Sequence, residues 1–458
     1  MSKEKTVDMT VGEPFKLLIS FSIPVLLGDL FQQFYNMCDT IIVGKLLGEN
    51  ALASVGCTGP MNFLILGFVF GITTGFTVIT AQRFGAQDIE GLKRSVAANI
   101  VLNLIFSFFI TIFASLLVTP ILHLINTPDE IFKTARLYIT IIFLGTSANA
   151  LYNCCACLLR AVGDSKTPFY FLVIGTVFNI ILDYVLIKFT PLKIAGAALA
   201  TVASQAIAGV LCLFWIGKKF PVLKVTGKDF VFPKGFLKQH LNIGVNMGFQ
   251  FSITAIGVVV LQGALNKFGA LKIAAYTAAT KVEQMTTVEA TVLGVAMSTF
   301  AGQNLGAKKI ERLNEGMIKS SVLSVILAVL SGLVAWFFGD QMTSLFLNSK
   351  TMDPASYAEV IKTARLYLRI CAVFYPSLFL LFTFRETLQG LGRGFWPLVS
   401  GAMELLSRVA VAYTLPRFMG FTGICCASAI AWLLGMIPLV AAYFVIIRKL
   451  QKSLSACD

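Results

Sequence analysis

Twelve stretches of this chain are each apolar enough, and at about 18 residues or more long enough, to cross a hydrocarbon core of roughly 30 Å as a helix. They fall near 15–40, 61–82, 95–120, 135–160, 167–188, 194–217, 240–266, 273–301, 317–339, 364–388, 395–416 and 419–447. In lipid every backbone N–H and C=O must be paired within the protein, which leaves helices or closed barrels. Barrel strands alternate in polarity over about ten residues, and these runs do not alternate. The chain is 57% hydrophobic and 13% charged, with a mean hydropathy of +0.80, whereas soluble domains carry about 25% charged residues. The expected fold class is an all-α polytopic membrane protein.

Net charge is +14, a value that in a soluble protein would raise the question of nucleic acid. Its distribution answers otherwise. Threading twelve helices from a cytoplasmic N-terminus puts 23 Lys/Arg in inside segments and 11 outside, with Lys281, Arg369 and Arg408 inside helices. That is the positive-inside bias of a membrane protein, and no nucleic-acid partner is expected. Its densest part is the loop 218–238, with six lysines and one acid. The ten cysteines lie mostly within the runs. Cys154 and Cys157 form a lone C-x-x-C without a second pair or a nearby histidine, so packing is the expected role and no metal site or cofactor is implied. The polar start MSKEKTVDMTVGEPFK leads into a full-length span, so no cleavable signal peptide is expected. No G-x-x-x-x-G-K-[ST] phosphate loop occurs, which argues against ATP-driven pumping, and no catalytic cluster suggests an enzyme.

The halves repeat. ITAQRFGAQDIEGL (79–92) aligns with FAGQNLGAKKIERL (300–313) at a spacing of 221, matching Gln82 with Gln303 and Gly85 with Gly306. TARLY occurs at 134–138 and 363–367, and at the same spacing of 229 Gly163 and Pro168 of LLRAVGDSKTP fall on Gly392 and Pro397. The change of eight fits an insertion around NSKTMDPASYAE. Six helices per half is an even number, so both halves enter from the same side. A parallel repeat with a cleft between its bundles is a transporter architecture. The expected organisation is an N-lobe over 1–217, a basic cytoplasmic linker over 218–238 and a C-lobe over 239–458.

Ionisable groups at membrane depth are expensive and usually face a cavity or a partner. On the first helix Asp29, Gln32, Gln33, Asn36 and Asp39 fall at about 0°, 300°, 40°, 340° and 280° of helical rotation, one stripe about 120° wide. Pro24 on the same helix removes a backbone donor. Asn179 and Asp183 share a face of the fifth helix; Thr201, Ser204 and Gln205 share one on the sixth; Asn149 and Asn153 share one on the fourth. For lone Ser, Thr and Asn residues, hydrogen bonding between helices is an equal alternative. Asp39 and Asp183 are harder to explain that way, because a carboxylate is a costly structural donor or acceptor in lipid. Two unpaired carboxylates in one bundle can bind a cation or take up a proton. By the repeat they fall on Val260 and Ala412, while Asn179 falls on Arg408. In the second half Glu404 and Arg408, four apart, read as a structural ion pair. Glu283 has two readings, cleft-lining or paired with Lys281 or Arg408.

These segments together resemble the multidrug and toxic compound extrusion (MATE) transporters. The resemblance rests on IPVLLGDLFQQFYNMCDTIIVG (23–44), LLRAVGDSKTPF (158–169), NIILDYVLI (179–187), GQNLGAKK (302–309) and MELLSRVAVAYTLP (403–416), and covers nearly the whole chain. It implies twelve helices in two pseudo-symmetric six-helix lobes that alternate between outward-open and inward-open forms. It implies export of organic, mostly cationic lipophilic compounds in exchange for H+ or Na+, without a cofactor. It implies a multi-pass cell-membrane protein, a monomer with both termini cytoplasmic. Residue by residue, it places a cation or proton site, H+ or Na+ at Asp39 and Asp183, on Asp39, Asn179, Asp183 and Thr201, with Asn153 as the nearest fourth-helix asparagine. Asp29, Gln32, Gln33, Asn36, Gln205 and Glu283 would line the substrate cavity. Gln250 stands where another branch of the family carries a seventh-helix acid, which argues against a C-lobe cation site of that type. Glu289 stands where many relatives show a proline pattern. The alternative is a lipid-linked oligosaccharide flippase of the same broader superfamily, for which a more basic cavity would be expected.

Overall fold

The computed structural model describes residues 6–125, 127–347 and 352–455, and among these residues there is no strand. The helices follow the apolar runs, because only intrahelical pairing satisfies a backbone in lipid. In chain order they are α1 (Pro14–Leu47), α2 (Glu49–Gly85), α3 (Ile89–Leu124), α4 (Asp129–Leu144), α5 (Thr146–Ala161), α6 (Lys166–Phe189) and α7 (Ile194–Lys219). The second half holds α8 (Phe236–Leu265), α9 (Ala270–Thr286), α10 (Val288–Gly306), α11 (Ile310–Ser344), α12 (Pro354–Gly390), α13 (Phe395–Thr414), α14 (Pro416–Met419) and α15 (Phe421–Ser455). Among the described residues, ten helical segments are long and apolar enough to cross a bilayer singly, and α4 with α5, bent by 45°, makes an eleventh. The expected eighth span lies on α9 and α10, which break at Thr287. There the hydroxyls of Thr286 and Thr287 bond back to the carbonyls of Val282 (3.0 Å) and Glu283 (2.8 Å), and three consecutive β-branched residues weaken the helix. The chain is thus an all-α membrane protein of two pseudo-symmetric six-helix halves.

The repeat is visible in the backbone. A spacing of 221 carries α2 from residue 49 to 270 and from 85 to 306, the limits of α9 and α10 together. The rare left-handed conformations recur at the same spacings: Gly48 and Gly269, Gln87 and Lys308, and, 229 apart, Gly163 and Gly392. One pair of repeated glycines has a packing reason. A Cβ on Gly85 would overlap the carbonyl of Gln303, and a Cβ on Gly306 that of Gln82. The two Q-x-x-G motifs therefore lie against each other at backbone distance.

By internal contact the chain forms two compact units. The first contains Ser20–Ser252, the segment before Glu13, and Gly302–Lys308; the second contains Glu13–Ile19, Ile253–Ala301 and the chain from Lys309 onward. In the first unit, α2 and the start of α8 approach through glycines: a Cβ on Gly75 would sit 2.5 Å from the Cα of Gly244. Small residues allow such close packing where lipid gives no hydrophobic drive between helices. His240 is fully buried, bonded to Ser95 Oγ at 2.9 Å and to the carbonyl of Phe236 at 3.0 Å. The basic linker folds against α3 and α7, with Phe220, Val222 and Leu223 buried. Asp229 closes its turn by accepting from Thr226 N–H (2.6 Å) and Oγ1 (2.8 Å).

In the second unit α12 packs on α11 and α15, and α13 on α15. Glu404 does not pair with Arg408, as its spacing suggested. It forms a buried ion pair with Arg385 of α12, whose guanidinium also reaches Ser400 Oγ at 3.4 Å. A partner on a neighbouring helix presents its charge head-on across the packed interface, which took precedence over the neighbour one turn along.

Candidate functional site

The first unit contains a partly open cavity of about 160 Å³. From α1 come Gln32, Tyr35, Asn36 and Asp39; from α2, Asn62 and Leu66; from α4 and its end, Tyr138, Ile142 and Gly145; from α5, Asn149; from α7, Thr201, Val202 and Gln205. The break between α4 and α5 helps form it. Val202 occupies the space that a Cβ on Gly145 would need, so the chain bends where α7 comes closest. A second, water-sized space of about 10 Å³ adjoins it, sharing Gln32, Tyr35 and Gln205 and adding Tyr152, Thr176 and Ser204.

Asp39 lies at the cavity wall, 9% exposed, and Asp183 and Asn179 lie behind it at 0%. The two carboxyls are close enough to interact, and the Asn179 amide also bears on Asp183, but neither contact reaches hydrogen-bond geometry. Both Asp183 oxygens, Asp39 Oδ1, Asn179 Oδ1, Thr201 Oγ1, Asn62 Oδ1 and Gln205 Oε1 are buried without a partner. Buried polar atoms are almost always paired, and a bare carboxylate out of water is among the costliest exceptions. The cluster also holds two unused donors, Asn179 Nδ2 and the Thr201 hydroxyl, but no positive charge. Two carboxylates with neutral amide and hydroxyl oxygens suit a proton or a hard monovalent cation. The described residues hold no cluster of three or more His, Cys, Asp or Glu that could seat a metal ion.

The α1 stripe divides along its width. Gln32, Asn36 and Asp39, on one edge at about 280° to 340°, line the cavity; Asp29 and Gln33, at its other edge, do not. Asp29 instead lies within the field of the Arg160 guanidinium, and Gln33 is exposed. Thr201 and Gln205 line the cavity as the shared α7 face predicts. The fourth-helix asparagine is one turn from its expected place. Asn149, four residues after the bend, lines the cavity, and Asn153 donates to its carbonyl and Oδ1, both at 2.9 Å. Glu283 belongs to the second unit, where Tyr367 donates to its carboxylate; it meets neither Lys281 nor Arg408 as an ion pair. Sequence reasoning passed over Tyr35, Asn62 and Tyr138. Tyr138 had a signal, since it closes the repeated TARLY, and Asn62 interrupts an otherwise apolar run.

A polytopic helical bundle with an acidic, oxygen-lined cavity is the architecture of a membrane transporter. The MatE family profile matches residues 24–185 and 243–414, and the chain belongs to that family. It is 28% identical over 376 residues to the probable multidrug resistance protein YpnP of Bacillus subtilis, covering 81% of each chain. It is 27% identical over 427 residues to the probable multidrug resistance protein YoeA of the same species, covering 91% of this chain and 90% of that one. A solved structure described as the outward-facing conformation of a multidrug resistance MATE family transporter of the MOP superfamily matches the fold with a TM-score of 0.90. It is 23% identical and covers 98% of this chain and 99% of its own.

Proposed function

We propose that this chain is a secondary active multidrug efflux transporter that exports organic, mostly cationic lipophilic compounds in exchange for H+ or Na+. The observation that carries the reading is the Asp39–Asp183 pair, whose unpartnered oxygens sit beside a cavity in the first unit. Relatives named as multidrug resistance proteins, matched along most of their length, support the efflux direction.

In this reading the charged pair holds a cationic substrate, or the field it creates does, with Asn36, Gln32 and the Tyr35 and Tyr138 rings providing the wall. An entering H+ or Na+ satisfies the same oxygens, with Asn179 and Thr201 completing the donor set, and substrate is displaced. Pro24 leaves α1 one hydrogen bond short, so α1 is the element suited to rearrange between the two occupied forms. Coupling requires that ion and substrate each bind the two conformations differently. The protein would act as a monomer in the cell membrane, with both termini and the basic 218–238 segment on the cytoplasmic side.

Proteoliposomes loaded with a fluorescent organic cation test this. Inward Na+ and H+ gradients are imposed separately on wild type and Asp183→Asn. Export driven by one gradient and lost in the variant is expected. Export under neither gradient, from protein shown to be folded, would refute antiport and favour lipid flipping.

A further inference from the structure

The basic segment 218–238 is held in one shape, and that shape turns its charge outward. Its two short turns, Pro221–Leu223 and Gly227–Phe230, pack on α3, with Val222 and Leu223 buried. Its single acid, Asp229, is buried too, and is spent on the Thr226 N–H and hydroxyl. All six of its lysines are exposed, and none forms an ion pair among the described residues. Between Lys228 and Lys234, the tip residues Phe230 and Val231 are 40% and 71% exposed. Unopposed positive charge around exposed apolar side chains suits a membrane interface, where rings sit at headgroup level and lysine stems lie along apolar surface.

Beside the tip lies a separate, partly open cavity of about 270 Å³ in the first unit. Lys234 and Gln239 line it together with Arg83, Asp88, Glu90 and Arg94. Each acid is already committed: Asp88 accepts from Arg83 at 2.8 Å, and Glu90 pairs with Arg94. The charge left over is that of Lys234. The depth of the cavity follows from the chain. Arg83 directly follows the apolar run 61–82, and Arg94 and Gln239 directly precede the runs 95–120 and 240–266. The cavity therefore stands where three spans meet the headgroup layer. A basic pocket between helices at that depth suits a lipid phosphate.

We propose that this cavity seats the headgroup of an anionic phospholipid, with its phosphate on Lys234 and the two arginines. The acids beside them accept hydrogen bonds from hydroxyls, which favours a polyol-phosphate headgroup such as that of phosphatidylglycerol over a bare phosphate ion. The site shares no lining residue with the Asp39 cavity, and it holds whatever that cavity exports.

The test melts the purified full chain in neutral detergent, with unfolding followed by a thiol-reactive dye. Phosphatidylglycerol, phosphatidylcholine with the same acyl chains, or sodium phosphate is added at equal concentration. A ligand of the folded form raises the melting temperature. Phosphatidylglycerol should do so at lower concentration than phosphatidylcholine, and sodium phosphate should leave it in place. Lys234→Gln should need about fivefold more phosphatidylglycerol for the same rise, the share of one basic residue near an anionic lipid surface. Its response to phosphatidylcholine and its melting without lipid should not change, because the side chain is exposed. Lys133→Gln, which removes an exposed lysine at the start of α4, should behave as wild type. No preference for phosphatidylglycerol over phosphatidylcholine overturns the proposal, as does a Lys234→Gln response equal to that of wild type. Equal weakening by Lys133→Gln overturns it in favour of diffuse charge, and a full shift with sodium phosphate in favour of a free-anion site.

Discussion

Asp183→Asn should make the protein more stable while ending its coupling. In the wild type the Asp183 carboxyl is fully buried, both its oxygens lack partners, and a second unpartnered carboxylate oxygen, Asp39 Oδ1, lies close by. Leaving a buried polar group unmet costs about 1–3 kcal/mol, and more when it is charged. Asparagine keeps the shape, removes the charge and supplies an N–H that can donate to Asp39. A gain of about 1–3 kcal/mol follows, the usual sign of a site held in tension for its function. The cysteines make the measurement convenient: Cys154, Cys155, Cys157, Cys212, Cys371 and Cys425 are free and buried, so a thiol-reactive dye reports their exposure as the protein melts in detergent. Asp183→Asn should melt above wild type. If Na+ is the coupling ion, wild type should also melt higher in NaCl than in choline chloride, because a ligand that binds only the folded form stabilises it by mass action. The variant should have lost that dependence. Asp29→Asn, outside the cavity, should show neither effect. A variant that melts below wild type, or one that still exports under a gradient, would refute the account of the acid pair as an unmet cation site.

Glu404→Gln should destabilise by about 3–5 kcal/mol, because it leaves Arg385 charged and buried without its partner; the double variant Arg385→Met/Glu404→Met should recover most of the loss in the same melt. Gly85→Ala and Gly306→Ala should each lower stability by about 1–3 kcal/mol, since the new methyl meets backbone carbonyl and not a side chain that can swing away. In the 218–238 segment, the Thr226 N–H beside Asp229 holds its carboxyl below the usual range. Its contribution is therefore complete above the ordinary carboxylate pKa and lost as pH falls through the lowered one. Hydrogen exchange at residues 226–230 should be fast at all pH in Asp229→Ala and speed up, beyond the chemistry of exchange, only at acid pH in wild type.

What could be read from the chain alone follows the physics of lipid. The spans, the all-α class and the repeat were legible because a membrane allows few alternatives and because Gly, Pro and Gln keep their register across 221 and 229 residues. Asp39 and Asp183 were legible because carboxylates stand out in apolar runs. The side of the α1 stripe that lines the cavity was not: a 120° arc exceeds what one neighbouring groove can accept, and only the packing of α2, α4 and α7 selects the edge with Gln32, Asn36 and Asp39. The partner of Glu404 was equally hidden, because i,i+4 spacing shows neighbours on one helix and is silent about the arginine of the next. The asparagine register slipped by a turn at Gly145, since a bend cannot be placed from periodicity.

The two halves share a backbone plan but break it at different points. The first bends at Gly145, whose repeat partner is Phe374 within the unbroken α12; the second breaks at Thr287, whose partner is Leu66 within the unbroken α2. A break leaves carbonyls without intrahelical partners and permits local rearrangement that a continuous helix resists. Each break lies beside its own unit's charged group. Gly145 lines the cavity with Asp39, and the Thr287 hydroxyl is bonded to the carbonyl of Glu283. Neutralising a charge in either unit therefore acts next to the least constrained turn of that unit. Two copies of one fold thus carry an acid beside breaks at different points of the repeat, Asp39 by the bend at Gly145 and Glu283 by the break at Thr287.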